Sequence, residues 1–186
     1  MDTLSFKSDR EFRAWLEQNH DRDEGIWLRI YKKGYSGSSV SFSEALDQAL
    51  CFGWIDGRKM HFDQDSWLQR FTPRRSKSSW SKINIGNANR LIDTGQMTPA
   101  GMKAIEAAKA DGRWGAAYDS FSNSRIPEDF LKELDKDKKA KAFFETLNRT
   151  NLYSIAYRLQ TAKTPEARER RMELILGMLS RGIKFH

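Results

Sequence analysis

The sequence predicts an α+β protein: a small, mainly antiparallel sheet flanked by helices, followed by a C-terminal helical module. Three observations carry this reading. Strand-like and helix-like periods alternate as far as Trp80, everything beyond Trp80 reads helical, and one pair of strands is separated by so short a turn that it must fold back on itself.

The elements follow in order. Ser8 with Glu11 three residues on forms a capping box, and Phe12, Trp15 and Leu16 recur at helical spacing, predicting a helix over Asp9–Asn19. Gly25–Lys33, rich in β-formers (Ile26, Trp27, Leu28, Ile30, Tyr31), reads as a strand, and Gly34–Ser39 as a loop. Ser41 and Glu44 make a second capping box ahead of an apolar stripe, and that helix closes near Gly53. Trp54–Phe62 and Ser66–Thr72 read as a hairpin about Asp63–Asp65, with Pro73 ending the second strand because it donates no ladder hydrogen bond. Ile83–Ile92 is helical, and Thr98-Pro99 opens the next helix, with Thr as cap and Pro where its missing N–H costs nothing. Gly115–Pro127 has no period and reads as a connection, so the chain divides into an α+β domain, 1–123, and a helical module, 124–186. In the module, Glu128–Leu134, Ala140–Leu147 and Asn151–Ala162 are helical, Asp135–Lys139 is a charged joint, and Thr164-Pro165 starts a last helix.

Composition narrows the function classes. With 39% apolar and 31% charged residues, the chain is an ordinary soluble globular protein. No apolar run approaches the ~18–20 residues of a membrane span, and Met1–Phe6 lacks the basic and apolar regions of a secretory leader. One cysteine, Cys51, forms no internal disulfide, so a cytoplasmic location is expected. No cofactor is expected: the three histidines and Cys51 have no zinc-ligand spacing, and no Gly-rich phosphate loop is present. Cys51 and the histidines are also weak catalytic candidates. Cys51 ends an apolar helix, His20 follows a helix, His186 is terminal, and His61 has opposite strand parity to Asp56 unless a bulge intervenes.

The net charge is +7, and its distribution matters more than its size. Between Asp65 and Asp93 there is no acid, although the chain holds 25; six cations lie there, Arg70, Arg74, Arg75, Lys77, Lys82 and Arg90, interleaved with Trp67, Phe71 and Trp80. Such a local positive field suits an anionic partner. A turn centred on Gln64 pairs Asp56 near Thr72, on one face with Arg58 and Arg70; Asp56 is then either a cross-strand ion-pair partner or the residue that orients Arg70 toward a phosphate or carboxylate. The Thr72–Ser81 loop, with Arg74 and Arg75, either cradles an anion with Trp80 stacking on a ring, or is a basic loop anchored by a buried Trp80. Trp54 is a candidate pocket wall. Lys163, Arg168 and Arg171 flank a helix start and either pair with acids such as Glu145 or Asp129 or add a second anion contact.

Several motifs occur together in order: Cys51-Phe-Gly-Trp-Ile-Asp-Gly57, Gln69-Arg-Phe-Thr-Pro-Arg74, Trp80-Ser-Lys-Ile-Asn84, Met97-Thr-Pro-Ala-Gly101, Gly112-Arg-Trp114, and Ala162-Lys163 followed by Arg168, Arg170 and Arg171. On these the chain resembles the YdeI/OmpD-associated family, also called bacteriocin-protection proteins, over nearly its whole length. The family's tail usually reads Glu-Thr-Arg; here it is Glu166-Ala167-Arg168, which lacks the hydroxyl but keeps the helix start. The resemblance implies a bacterial protein tied to tolerance of bacteriocins or envelope stress, with no settled reaction.

The expected function is a cytoplasmic, non-catalytic protein binding a small anionic ligand through Trp54, Asp56, Arg70, Arg74, Arg75, Trp80, Lys163 and Arg168. Three rivals stand beside it: a nucleic-acid-binding protein, an enzyme acting on a phosphorylated or carboxylated metabolite with Asp56 as its acid/base, and a protein–protein adaptor, which exposed aromatics in the C-terminal module would support.

Overall fold

The structure, a computed structural model, describes residues 1–34 and 36–184. Tyr35 of the expected Gly34–Ser39 loop, and the terminal His186, lie outside them. The chain forms two compact units, residues 1–78 with 86–110 and residues 79–85 with 111–186.

The first unit holds β1 (Thr3–Leu4), α1 (Asp9–Asn19), β2 (Ile26–Tyr31), α2 (Phe42–Cys51), β3 (Trp54–His61) and β4 (Ser66–Pro73). The division between units falls inside α3 (Lys82–Asp93), and α4 (Pro99–Ala110) returns to the first. Local chemistry sets the helix starts. Ser41 and Glu44 complete the reciprocal cap of α2, whereas at α1 Ser8 accepts from the Glu11 N–H and Glu11 reaches back to the Lys7 N–H.

The strands order β1-β2-β4-β3, antiparallel except for the short β1, which runs parallel to β2. β1 has no sequence signal, since two residues carry no period. Alternate residues of β2 (Ile26, Leu28, Ile30) are buried, and the neighbouring β4 adds Phe71 to the same side. Helix α1 covers that side: Phe12 lies 5.9 Å from the Phe71 ring, and Trp15 meets Trp54 edge-on at 5.8 Å. Helix α4 comes so close to the end of α2 that a Cβ on Gly101 would stand 2.3 Å from the Cys51 carbonyl oxygen.

The hairpin register corrects one expectation. Near the turn it is centred on Gln64, with His61 opposite Trp67 and Lys59 opposite Gln69. A β-bulge between Asp56 and Lys59 then puts one extra residue into β3, so Asp56 lies opposite Phe71 and Ile55 opposite Thr72. Asp56 therefore sits on the helix-covered face, opposite to Arg70, and His61 shares that face.

The second unit contains α5 (Glu128–Leu134), α6 (Lys138–Phe144), α7 (Arg149–Gln160) and α8 (Pro165–Ser180). Its core gathers Phe130, Leu134, Ile155, Leu159, Ile175 and Leu179. Asp137 caps α6 through the Lys139 and Ala140 N–H groups, so the charged stretch expected as a joint already contains a helix start. Asn148 caps α7 and Thr164 caps α8, the latter with Pro165 in its first turn.

Candidate functional site

The first unit carries two adjoining clefts. One, of 460 Å³, is lined by Arg22, Gly25, Arg70, Thr72, Arg74 and Arg75, with Asp21, Asp23 and Glu24 on its wall. The other, of 590 Å³, has Phe52, Ala100, Lys103 and Ala104 around it and shares His20, Asp21 and Arg74 with the first. Arg74 thus lies where the two meet.

Backbone geometry fixes this arrangement. Gly53 closes α2 at φ +74, a left-handed conformation that costs glycine little, and its carbonyl accepts the Arg74 N–H at 3.0 Å. The indole of Trp54 donates to the His20 carbonyl at 2.9 Å and ties the end of α1 to β3. The chain then enters β2 through Gly25, where a Cβ would stand 2.2 Å from the Phe71 carbonyl oxygen. Only a residue without a side chain lets the 21–25 turn lie so close to β4.

The cations of the acid-free stretch have different fates. Arg90 pairs with Asp47 at 2.7 Å and Lys82 with Asp119 at 2.8 Å. The hydrogen bond from Lys82 holds the Asp119 carboxyl below its ordinary range. Arg70, Arg74 and Arg75 converge on the 460 Å³ cleft. The Nε of Arg70 is buried there without a hydrogen-bond partner among the described residues. Arg22 is engaged with Asp2 at 3.0 Å.

The remaining sequence-predicted residues lie elsewhere. Trp54 is fully buried, 0% exposed, and supports the cleft from beneath instead of walling it. Asp56 is absent from the lining because the bulge turned it to the other face. Trp80 is 1% exposed and packs on Trp114 at 4.9 Å, so its ring is a core anchor with no face left to stack on a ligand. Lys163 approaches Asp111 at 3.8 Å. Arg168 grips both oxygens of Asp129, one of them at 2.9 Å, while Arg171 donates to the Arg158 carbonyl. The hydrogen bonds from Arg168 hold Asp129 below the ordinary carboxylate range.

Sequence reasoning missed His20, Arg22, Gly25 and Lys103 as cleft residues. The charged run His20–Glu24 was visible, but its relevance depends on β2 pairing with β4, which no local pattern announces. Cys51 is fully buried, and burial pushes its thiol up, away from nucleophilic use. Among the described residues no group of three or more His, Cys, Asp or Glu is placed to hold a metal ion, and no helix is long and apolar enough to cross a membrane.

Residues 4–104 match the family model described as a domain of unknown function, DUF8412. The chain belongs to that family. Residues 123–182 match a second model, described as bacteriocin-protection, YdeI or OmpD-associated. The resemblance read from the sequence therefore has its match in the helical part, on the motif that begins at Ala162. The motifs at 51–57, 69–74, 80–84 and 97–101 fall within the DUF8412 span instead, together with every residue of the first cleft from Asp21 to Arg75. Comparison with curated proteins and with solved structures finds no match.

Proposed function

We propose that this is a cytoplasmic, non-catalytic protein whose first unit binds a small anion between Arg70, Arg74 and Arg75, and that this binding serves tolerance of bacteriocins or related stress. The observation that carries the reading is the convergence of these three arginines on one cleft, with a buried Arg70 Nε lacking an acceptor among the described residues. A buried donor of this kind costs stability unless something accepts from it, and a phosphate or carboxylate oxygen does so with charge assistance. The acids on the wall suit a ligand that is anionic at one end and carries donors at the other. The family description of residues 123–182 supports the physiological half of the proposal, and a single buried thiol suits a reducing compartment.

A discrete site is favoured over a nucleic-acid surface because Lys82, Arg90 and Arg168 are each held by an acid. The cations of the acid-free stretch that converge do so on one cleft, whereas nucleic acid needs an extended stripe. The test is calorimetric titration of the protein with inorganic phosphate and with succinate, alongside Arg74→Ala and Arg70→Met variants whose fold is checked by circular dichroism. Binding weakened by about 10- to 100-fold in both variants is expected, the loss of a charge-assisted contact. Equal affinity in wild type and Arg74→Ala would remove that arginine from the site. An affinity for oligonucleotides that falls steeply with salt and ignores both substitutions would favour the rival.

A further inference from the structure

The second unit carries a different pair of cavities around the start of α7. One, of 230 Å³, is walled by the apolar side chains of Phe121, Ile126, Leu152 and Tyr153. The other, of 330 Å³, is walled by Ser122 and Asn123. Both are also lined by Ser124, Arg125 and Arg149.

We propose that these adjoining cavities form a binding site for a small amphiphilic carboxylate, its apolar body between Phe121, Leu152 and Tyr153 and its carboxylate on Arg149, Arg125 and the Ser124 hydroxyl.

Four observations meet here. The Arg149 guanidinium is held in position: its Nη2 donates to the carbonyls of Phe121 at 3.0 Å and Ser122 at 2.7 Å, and it lies 5.6 Å from the Phe121 ring centroid. That leaves the Nε and Nη1 hydrogens as separate charged donors, each able to meet one ligand oxygen. Arg125 makes no hydrogen bond or ion pair among the described residues, and neither cavity is lined by an acid. The Ser124 hydroxyl is buried and has no hydrogen-bond partner among the described residues, at the point where the apolar and polar lobes join. A buried hydroxyl left this way calls for an explanation, and a ligand oxygen supplies one. The apolar lobe is built from rings already in contact, Phe121 and Tyr153 at 5.3 Å, and burial pushes the Tyr153 hydroxyl up, away from ionisation. Small-molecule sites take this form, a mostly apolar wall with a few convergent polar groups.

Every residue of this site lies in the second unit, so it does not depend on the arginine cleft of the first. The probes are phenylacetate, acetate and benzyl alcohol, followed by ligand-observed NMR and calorimetry on the full chain. Phenylacetate should bind saturably, at least about tenfold more tightly than either acetate or benzyl alcohol, since each of those keeps only half of the contacts. Arg149→Met should weaken phenylacetate at least about tenfold, and Arg74→Ala should leave it unchanged. Because Arg149 also braces the 121–122 backbone, Leu152→Phe is the second variant: it fills the apolar lobe, keeps the guanidinium, and should exclude the ring while the thermal midpoint holds. Failure of wild type to bind phenylacetate overturns the proposal, as does equal binding of acetate and phenylacetate. So does phenylacetate affinity unchanged in both Arg149→Met and Leu152→Phe, or lost in Arg74→Ala.

Discussion

Arg168 and Arg70 illustrate two outcomes for an arginine that sequence alone does not separate. Arg168 meets Asp129 in a two-pronged contact across 39 positions of sequence, while Arg70 keeps a buried Nε with no acceptor among the described residues. The pairing of Arg168 with Asp129 was one of two readings open in the sequence; the choice needed the packing of α5 against the start of α8. The Asp129 carboxyl is held below its ordinary range, so the native state binds fewer protons there than the unfolded chain. Its contribution is present above the ordinary aspartate value, about pH 4, and is lost as the pH falls through the depressed one. Asp129→Asn should therefore lower the thermal midpoint at pH 7 and flatten its fall below about pH 4. An acid limb identical to wild type in thermal scans at several pH values would show that the contact carries no linkage. The Asp56 misplacement belongs to this scale as well. One extra residue in β3 reverses a face, and the only local hint is Gly57 in the Gly57-Arg58 pair that absorbs it, since a glycine inside a strand often marks a bulge.

Helices and hairpin were legible because their signals are local: side-chain caps at Ser41 and Thr164, Pro165 in a first turn, and a three-residue polar turn between apolar runs. The β2–β4 pairing was not, because it joins segments about forty positions apart with no period linking them. Gly25 carries that pairing physically. Its Cβ position is filled by the Phe71 carbonyl and the Thr72 side chain, so Gly25→Ala must push β2 and β4 apart at the mouth of the arginine cleft. A loss of at least about 2 kcal/mol in denaturant unfolding is expected, with weakened anion binding in the fraction that folds. Gly177, whose Cβ position is open, is the control, and Gly177→Ala should not destabilise. Equal stability of Gly25→Ala and wild type would mean that the two strands separate at no cost.

At the scale of the chain, the alternation of strand-like and helix-like periods correctly indicated an α+β protein, and the helical C-terminal part was readable from Trp80 onward. The sharing of α3 between two compact units was not, since a continuous helix shows no break in its period. Each unit has its own core: Phe71 lies under α1 in the first, and Phe130 sits in a cluster drawn from the second. Phe71→Ala and Phe130→Ala should each cost about 3–5 kcal/mol. The two losses should add within about 0.5 kcal/mol in the double variant by denaturant unfolding. A clear shortfall or excess would mean that the cores share a cooperative network. Cys51 gives the first core its own clock. It is the chain's sole cysteine, fully enclosed at the end of α2, with Thr98 hydrogen-bonded to its carbonyl. Labelling by a thiol-alkylating reagent therefore times how often α2 and α4 part, and any occupant of the neighbouring cleft that slows this parting will lengthen the labelling half-life without a chromophore of its own.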